Sequence, residues 1–574
     1  MVKHVENIYK NLSERRKTLQ EEGLIPEWYT TAGMQMFEER YLYGCNNVRE
    51  QFERIASTAA KHFSNVSDGY NLFSLAQKKF FNLLWKGWLS PSTPVLANMG
   101  TDRGMPVSCS GGYVRDSIDG FYSARKEVAI LTKHGFGTSA YLGDIRARGT
   151  SIRVGGKASG VVPVFKGFVQ DMRDVAQGTA RRGAWAGYLP IEHGDFYQLA
   201  DHIMAEPDDA NVGWIVPNSF IEKLDSGDQE AIRRYQKALK LKMVTGKGYF
   251  LFIDKANEKR PEMYKARGLE IKASNLCSEI MLHSDREHTF TCVLSSMNVA
   301  KYDEWKFSDA VYWATIFLDC VAEEFIQRGI EVPGLENAVR FTQKGRALGL
   351  GVCGFHTYLQ QNMIPFESLD AMYKNNEIFN HIWVQSEKAS RDLAKELGEP
   401  EWCKGSRLRN THRIAIAPTK STAVMMGGVS EGINPDPAMT YTQTTAAGEV
   451  DRINPVLLKL MKERNVYTKK TLSGITDKMG SIQHVDWLSD FEKQVFRTAF
   501  EINQEVVIRL ASQRAKYIDQ WQSLNLFFSS DEDEELISQV HKQAFKDPNI
   551  LALYYVYSMS GVQGSKEMEC VACQ

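Results

Sequence analysis

The stretch Ser274 to Ile280, SNLCSEI, sets an amide, a thiol and a carboxyl at alternate positions: Asn275, Cys277 and Glu279. In an extended segment, residues i, i+2 and i+4 point to one side. The spacing therefore predicts a thiol flanked on one face by a hydrogen-bonding amide and an acid. A buried strand cysteine with polar neighbours fits the same letters, because free cysteine is among the most buried residue types. The rest of the chain has to decide between the two.

Further thiols lie on either side. Cys292 opens CVLSSMN, and Cys109 follows Ser108 in PVSCSGGY. Each alone suits a packing role. The last residues, GSKEMECVACQ, carry Cys570 and Cys573 as a C-x-x-C pair. A structural zinc site takes four ligands, typically two such pairs. No second pair exists here, which favours a redox dithiol.

Two polar motifs complete the set. In APTKSTAV, Thr419, Lys420, Ser421 and Thr422 stand where an apolar strand gives way to a helix. A helix N-terminus exposes unpaired N–H groups and suits a phosphate, although an ordinary Ser/Thr cap has the same letters. In ALYYVYS, Tyr554 and Tyr555 are adjacent, as aromatics often are in a half-buried strand.

The chain has 574 residues, 43% hydrophobic and 24% charged, with a net charge of −1. Such a chain buries a large core without staples and has no overall basic field for nucleic acid or an anionic membrane. No run approaches the ~20 apolar residues of a membrane span. The start, MVKHVENIYKNLSERRKTLQ, lacks the apolar region of a secretory signal. A cytoplasmic, reducing compartment is expected, and nine cysteines do not read as a disulfide framework. The basic block Arg233 to Lys242 is expected on a solvated helix face.

NVREQFERIASTAAKHF and YNLFSLAQKKFFNLLWKGW carry helical periodicity. Beyond LSPSTPVLANMG, short apolar runs alternate with Gly-rich turns, which predicts a mixed α/β architecture. FSDAVYWATIFLDCVAEEFIQRG reads as a long, mostly apolar helix, and DFEKQVFRTAFEINQEVVIRLASQRAKYIDQ as a long helical stretch. The tail from about Ser558 is small and polar, and is expected to be disordered.

In order, LSPSTP, the Ser108–Cys109 pair, SNLCSEI, CVLSSMN, LGLGVCGFH, APTKSTA…GVSEGINP, KYIDQWQSLNLFF, LALYYVYS and the terminal C-x-x-C resemble the large catalytic subunit of class I ribonucleotide reductase. The likeness runs from about Phe37 to the end. It implies a ten-stranded α/β barrel of two antiparallel half-barrels, with a central finger loop bearing Cys277. The expected divisions are a helical region over 1–88, the barrel over 89–500, a subdomain with the tyrosines over 501–557, and a redox tail over 558–574.

The resemblance also implies roles. Cys277 fits the thiyl radical, Asn275 and Glu279 fit groups at the ribose hydroxyls, and Cys109 and Cys292 fit the reducing pair. Tyr554 and Tyr555 fit a relay that brings the radical from a separate small subunit, so no cofactor is expected on this chain. Thr93, Ser108, Gly135 and Thr419 to Thr422 fit substrate contacts. Asp116, Ser117, Ile118, Arg146 and Arg153 fit a specificity site for ATP or deoxynucleotide effectors, and QGTARRGAWAG fits the loop that carries its message. Cys570 and Cys573 would reduce the buried disulfide and be reduced in turn by thioredoxin or glutaredoxin. The ~15 residues after Tyr555 reach about 50 Å when extended.

A homodimer is expected, acting on diphosphates as class I members do. The ATP-reading cone of larger members is not expected. Asn434 stands where many relatives have Glu, and Cys45, Cys320, Cys353 and Cys403 match no family role and are expected to pack. An adenosylcobalamin-dependent reductase is the main alternative, and the tyrosine pair argues against it. A regulatory relative without chemistry and a zinc scaffold are further alternatives.

Overall fold

The computed structural model describes residues 2–64, 70–153, 155–175, 183–445 and 448–558. Cys570, Cys573 and residues 177–182 of QGTARRGAWAG lie outside them.

Helices Val48–Ser64 and Tyr70–Trp85 pack on one another. Phe52, Ile55, Ala56 and Ala59 of the first, and Ala76, Phe80, Leu83 and Leu84 of the second, are buried. That three- and four-residue spacing is the stripe the periodicity predicts. The long helix appears as Ala310–Gly329. It is apolar nearly all round because it is sandwiched between this helical layer and the sheet.

The main sheet holds β1 (Leu89–Pro91), β2 (Cys109–Tyr113), β3 (Gly137–Tyr141), β4 (Trp185–Pro190), β5 (Asn211–Val216), β6 (Tyr249–Phe252), β7 (Phe290–Asn298), β8 (Leu348–Cys353) and β12 (Ala552–Leu553). Outside it, β9 (Thr440–Thr445) pairs with β10 (Gly448–Ile453), and β11 (Leu526–Phe528) with β13 (Val556–Ser558). Strands β2 to β6 run parallel in chain order. β7 is antiparallel to β2 and parallel to β8. β1 and β12 flank β7 and β6, both antiparallel. Strands covered on both faces lose their polar alternation, which is why every residue of β6 and β7 is buried.

Nine strands, not ten, therefore form the regular sheet among the described residues. Two extended segments continue it irregularly. The N–H groups of Leu348 and Leu350 donate to His412 and Arg413, and those of Ile416 and Ser523 donate to Trp521 and Ile416. Ile416 and Gln522 nevertheless meet in a single parallel bridge. Side chains intercept the ladder here: the Asp519 carboxylate takes the N–H groups of Arg413 (3.0 Å) and Ile414 (2.8 Å).

Two helical expectations also change. The stretch from Asp490 is two helices, Asp490–Val495 and Gln504–Arg514. Asn503 starts the second by accepting the Glu505 N–H at 2.9 Å, while Glu501 holds the Thr498 N–H at 2.8 Å in the break. The basic block lies on helix Gln229–Thr245, but its last member, Lys242, is fully buried rather than solvated. Its ammonium donates to the carbonyls of Gly248 and Tyr554. Burial pulls its pKa down to about 7. No helix among the described residues is long and apolar enough to cross a membrane.

Candidate active site

Residues 275–280 form a tight turn, not the extended segment that the alternation suggests. The Ser278 N–H donates to the Asn275 carbonyl at 3.3 Å, and Ser278 has φ +66°. A left-handed non-glycine residue costs about 1–3 kcal/mol and persists only where its surroundings fix it. Asn275 does the fixing. Its Oδ1 accepts the N–H groups of Glu279 (3.1 Å) and Ile280 (3.2 Å). Ser274 Oγ adds a bond to the Ile280 carbonyl at 2.8 Å. From outside the turn, Tyr188 Oη donates to the Asn275 carbonyl at 2.6 Å and Ser139 Oγ to that of Ser274 at 2.8 Å.

Cys109 and Cys292 lie against this turn, which carries Cys277. Cys109 on β2 and Cys292 on β7 are register partners across the antiparallel junction. The Asn275 amide Nδ2 reaches Cys109 Sγ at 3.3 Å, and the Gln520 amide Nε2 reaches Cys292 Sγ at 3.3 Å. Cys277, Cys109 and Cys292 are all buried. Burial pushes the Cys292 thiol far up, and the nearby charge of Glu279 adds to this against the Gln520 hydrogen bond. Cys292 therefore keeps its proton at neutral pH. Glu279 is itself wholly buried. Ser523 Oγ lies 2.7 Å from the Cys277 backbone carbonyl and 3.2 Å from Glu279 Oε2, so one hydroxyl spans the turn's backbone and the acid. Gly349 on β8 leaves room for Cys292: a Cβ there would stand 2.8 Å from its Sγ.

The tyrosine pair is also in place. The rings of Tyr554 and Tyr555 are 4.2 Å apart, and Tyr249 packs on both, at 4.9 and 5.5 Å. The Tyr554 N–H donates to the Leu524 carbonyl, one residue beyond Ser523. Only two residues thus separate the pair from the backbone of Cys277.

Comparisons with known proteins place the chain in a family. The ribonucleotide reductase all-alpha domain matches residues 27–104, and the ribonucleotide reductase barrel domain matches 107–236, 228–409 and 401–556. The Actinobacillus ureae class Id ribonucleotide reductase alpha subunit superposes with a TM-score of 0.85 at 39% identity, over 93% of this chain and 98% of that one. The ribonucleoside-diphosphate reductase large subunit of Invertebrate iridescent virus 3 is 30% identical over 563 residues, 84% of this chain and 88% of that protein. Its Danio rerio counterpart is 26% identical over 615 residues, 93% of this chain and 76% of that protein.

The chain belongs to the ribonucleotide reductase large-subunit family.

In this reductase the remaining predicted residues are spread more widely. Thr419 is buried with φ +57°, and its Oγ1 accepts the Gly432 N–H at 2.8 Å. It precedes the short helix Lys420–Met425, whose Ser421 is partly exposed and whose Thr422 is buried. Lys420 lies 5.4 Å from the Tyr557 ring, and that ring is 5.9 Å from Tyr555. Thr93 and Ser108 are buried, and Thr93 Oγ1 lies 3.3 Å from Tyr41 Oη. Gly135 has φ +100°, a turn that only glycine makes easily. Asp116 pairs with Arg146 at 2.5 Å. Ser117 caps the next helix through the Gly120 N–H, Ile118 is 71% exposed, and Arg153 is exposed.

Sequence reasoning did not assign roles to Gln520, Ser523 or Tyr188. The first two lie in KYIDQWQSLNLFF, quoted for the family likeness, but their partners are more than 200 residues away. Asn434 also has a place. It donates to the Ser523 carbonyl at 3.3 Å and accepts the Asn525 N–H at 3.2 Å, a double duty that a carboxylate could not perform. Cys320, Cys353 and Cys403 are buried, and burial raises the thiol pKa of each. Cys45 is only partly buried, 3.2 Å from an Arg54 nitrogen.

Proposed function

We propose that the chain is the catalytic subunit of a class I ribonucleotide reductase and reduces ribonucleoside diphosphates to 2′-deoxyribonucleotides through a thiyl radical at Cys277. The supporting observation is the convergence of the Cys277 turn, Glu279 and the Cys109–Cys292 pair, with Asn275 bonded to one thiol and Gln520 to the other.

Hydroxide leaves C2′ poorly by ionic displacement. A Cys277 thiyl removes the 3′ hydrogen, because S–H and activated C–H bonds are similar in strength. Glu279 takes the 3′-OH proton as general base. The 2′-OH departs as water with a proton from one thiol of the Cys109–Cys292 pair. Burial suits that role, since these thiols must stay protonated until used. The second thiol gives its hydrogen to C2′, Glu279 returns its proton to the 3′ oxygen, and the pair, having supplied two electrons in all, ends as a disulfide. Cys277 returns its hydrogen to C3′ and is a thiyl again.

The hole would arrive through Tyr555 and Tyr554 from a radical-generating small subunit. Residues Thr419 to Thr422 would hold the phosphates, with Thr93, Ser108 and Gly135 at the rest of the substrate. The Asp116–Arg146 pair with Ser117, Ile118 and Arg153 would take the nucleotide effector. Cys570 and Cys573 would carry reducing equivalents in from thioredoxin or glutaredoxin. We further read the segments around 412–417 and 520–525, with the strand at 552–558, as staves completing a ten-stranded barrel. The four divisions at 88, 500 and 557, a homodimer and a cytoplasmic location belong to the same proposal.

The test is deoxynucleotide formation by the full chain with and without a candidate small subunit. Turnover should require the small subunit and be lost in Tyr554→Phe and Tyr555→Phe, with substrate binding retained. Turnover by the isolated chain with adenosylcobalamin alone would overturn the class I assignment.

A further inference from the structure

We infer that His283, Asp285 and His288 form a binding site for one divalent transition-metal ion, such as zinc, on the segment joining the Cys277 turn to the Cys292 strand. Nothing in the proposed reaction uses these residues. Their ligand atoms all lie within 4.8 Å of one another.

The hydrogen bonds of His283 require something positive at the centre. Its Nδ1 is 2.7 Å from the Glu270 carbonyl. A carbonyl only accepts, so Nδ1 carries the hydrogen, and the Nε2 of a neutral ring presents a lone pair. That lone pair faces Asp285 Oδ2 at 3.0 Å. Two acceptors so close repel one another unless a proton or a cation lies between them. The third donor favours a cation. His288 brings Nδ1 to 2.9 Å from Asp285 Oδ1 while being only 8% exposed. Two buried imidazoles meeting on one carboxylate make a three-ligand set, and a proton on His283 would engage only one of them.

On the His283 side the surroundings are built as metal sites are, while His288 Nε2 is buried without a hydrogen-bond partner. Glu270 fixes the ring orientation and tautomer of His283, as an outer-sphere carbonyl commonly does for a metal-bound histidine. Asp285 Oδ1 is held by the N–H groups of Glu287 at 2.8 Å and His288 at 2.9 Å. Trp402 walls the site, 5.2 Å from the His288 ring and 6.1 Å from that of His283. The Asp285 side chain is 40% exposed, which gives an entry path and an open coordination position for water. Ligand bonds of about 2.0–2.2 Å in a tetrahedral zinc site put donors ~3.3 Å apart, so the two contacts to Asp285 need open only slightly.

The placement gives the ion a purpose. His283 lies four residues after Glu279, and His288 four before Cys292. An ion here would clip the link between the two elements that must keep Cys277 and Cys292 in register.

The experiment uses the full-length chain, stripped of metal and carrying Cys570→Ser and Cys573→Ser so that the tail dithiol takes none. Cobalt(II) and zinc are titrated by calorimetry and absorption. The expected result is one equivalent of cobalt with no thiolate charge-transfer band, with affinity falling tenfold or more in both His283→Gln and His288→Gln. Asp285→Asn keeps the side-chain volume at an exposed position and should also weaken binding. Zinc should raise the thermal midpoint of the parent and not of the variants. Undiminished binding in all three variants, a thiolate band, or no uptake together with an imidazolium NMR signature at His283 would overturn the site.

Discussion

Cys109 and Cys292 sit directly opposite one another where β2 and β7 meet antiparallel. Directly paired residues of such a ladder have Cα atoms about 4.5–5.5 Å apart, inside the ~4.4–6.8 Å window of a disulfide. Oxidation of this pair therefore needs side-chain rotation and no backbone movement. One turnover without external reductant should leave a Cys109–Cys292 disulfide, seen by peptide mapping. Mapping that finds both thiols free after product has formed would count against it.

Glu279 and Ser523 should separate in their effects. Glu279→Gln removes the proposed general base and should lower kcat by about 10²–10⁴. Ser523→Ala removes the hydroxyl that lies 3.2 Å from Glu279 Oε2; loss of a hydrogen bond worth about 0.5–1.5 kcal/mol should lower kcat by about 2–10-fold. Steady-state kinetics of the two variants, with KM little changed, checks the ordering.

Gly349→Ala should crowd Cys292 while leaving every residue proposed for the reaction unreplaced. The added methyl would meet Leu294 Cδ2 at 2.4 Å and Cys292 Sγ at 2.8 Å. Overpacking of this kind costs about 1–3 kcal/mol. Urea denaturation should show that loss, and the rate of Cys109–Cys292 disulfide formation should fall as well.

Mild acid should destabilise the fold. His356, His412 and His541 are fully buried, and burial lowers each from 6.5 to about 3. Below 6.5 the unfolded chain takes up protons that the folded chain refuses until about 3, so stability falls as pH drops through that window. Above it these groups contribute no slope. The effect is on the order of a few kcal/mol per histidine. Urea midpoints should decline from pH 6.5 downward, and less steeply in His541→Gln than in the parent; equal slopes in the two would contradict the assignment.

The sequence exposed the chemistry more readily than the scaffold that holds it. Cys277, Glu279 and the Cys109–Cys292 pair stand out in the sequence because few residue types suit the chemistry proposed for them and because their order along the chain is specific. The shape of the Cys277 turn was not. Alternation suggests a strand, while Asn275 Oδ1 folds the segment back onto its own N–H groups at 3.1 and 3.2 Å. Gln520 and Ser523 gave no local signal, because a polar residue near a strand end acquires a role only when distant segments meet. Lys242 misleads for the opposite reason: within a basic helix its burial shows only once the carbonyls of Gly248 and Tyr554 are in view.

The most direct test of the account is the replacement of one atom, sulfur by oxygen, in Cys277→Ser. With the small subunit and reductant present, the variant should bind ribonucleoside diphosphate normally and form no deoxynucleotide. Deoxynucleotide formation at the parent rate would contradict the central claim.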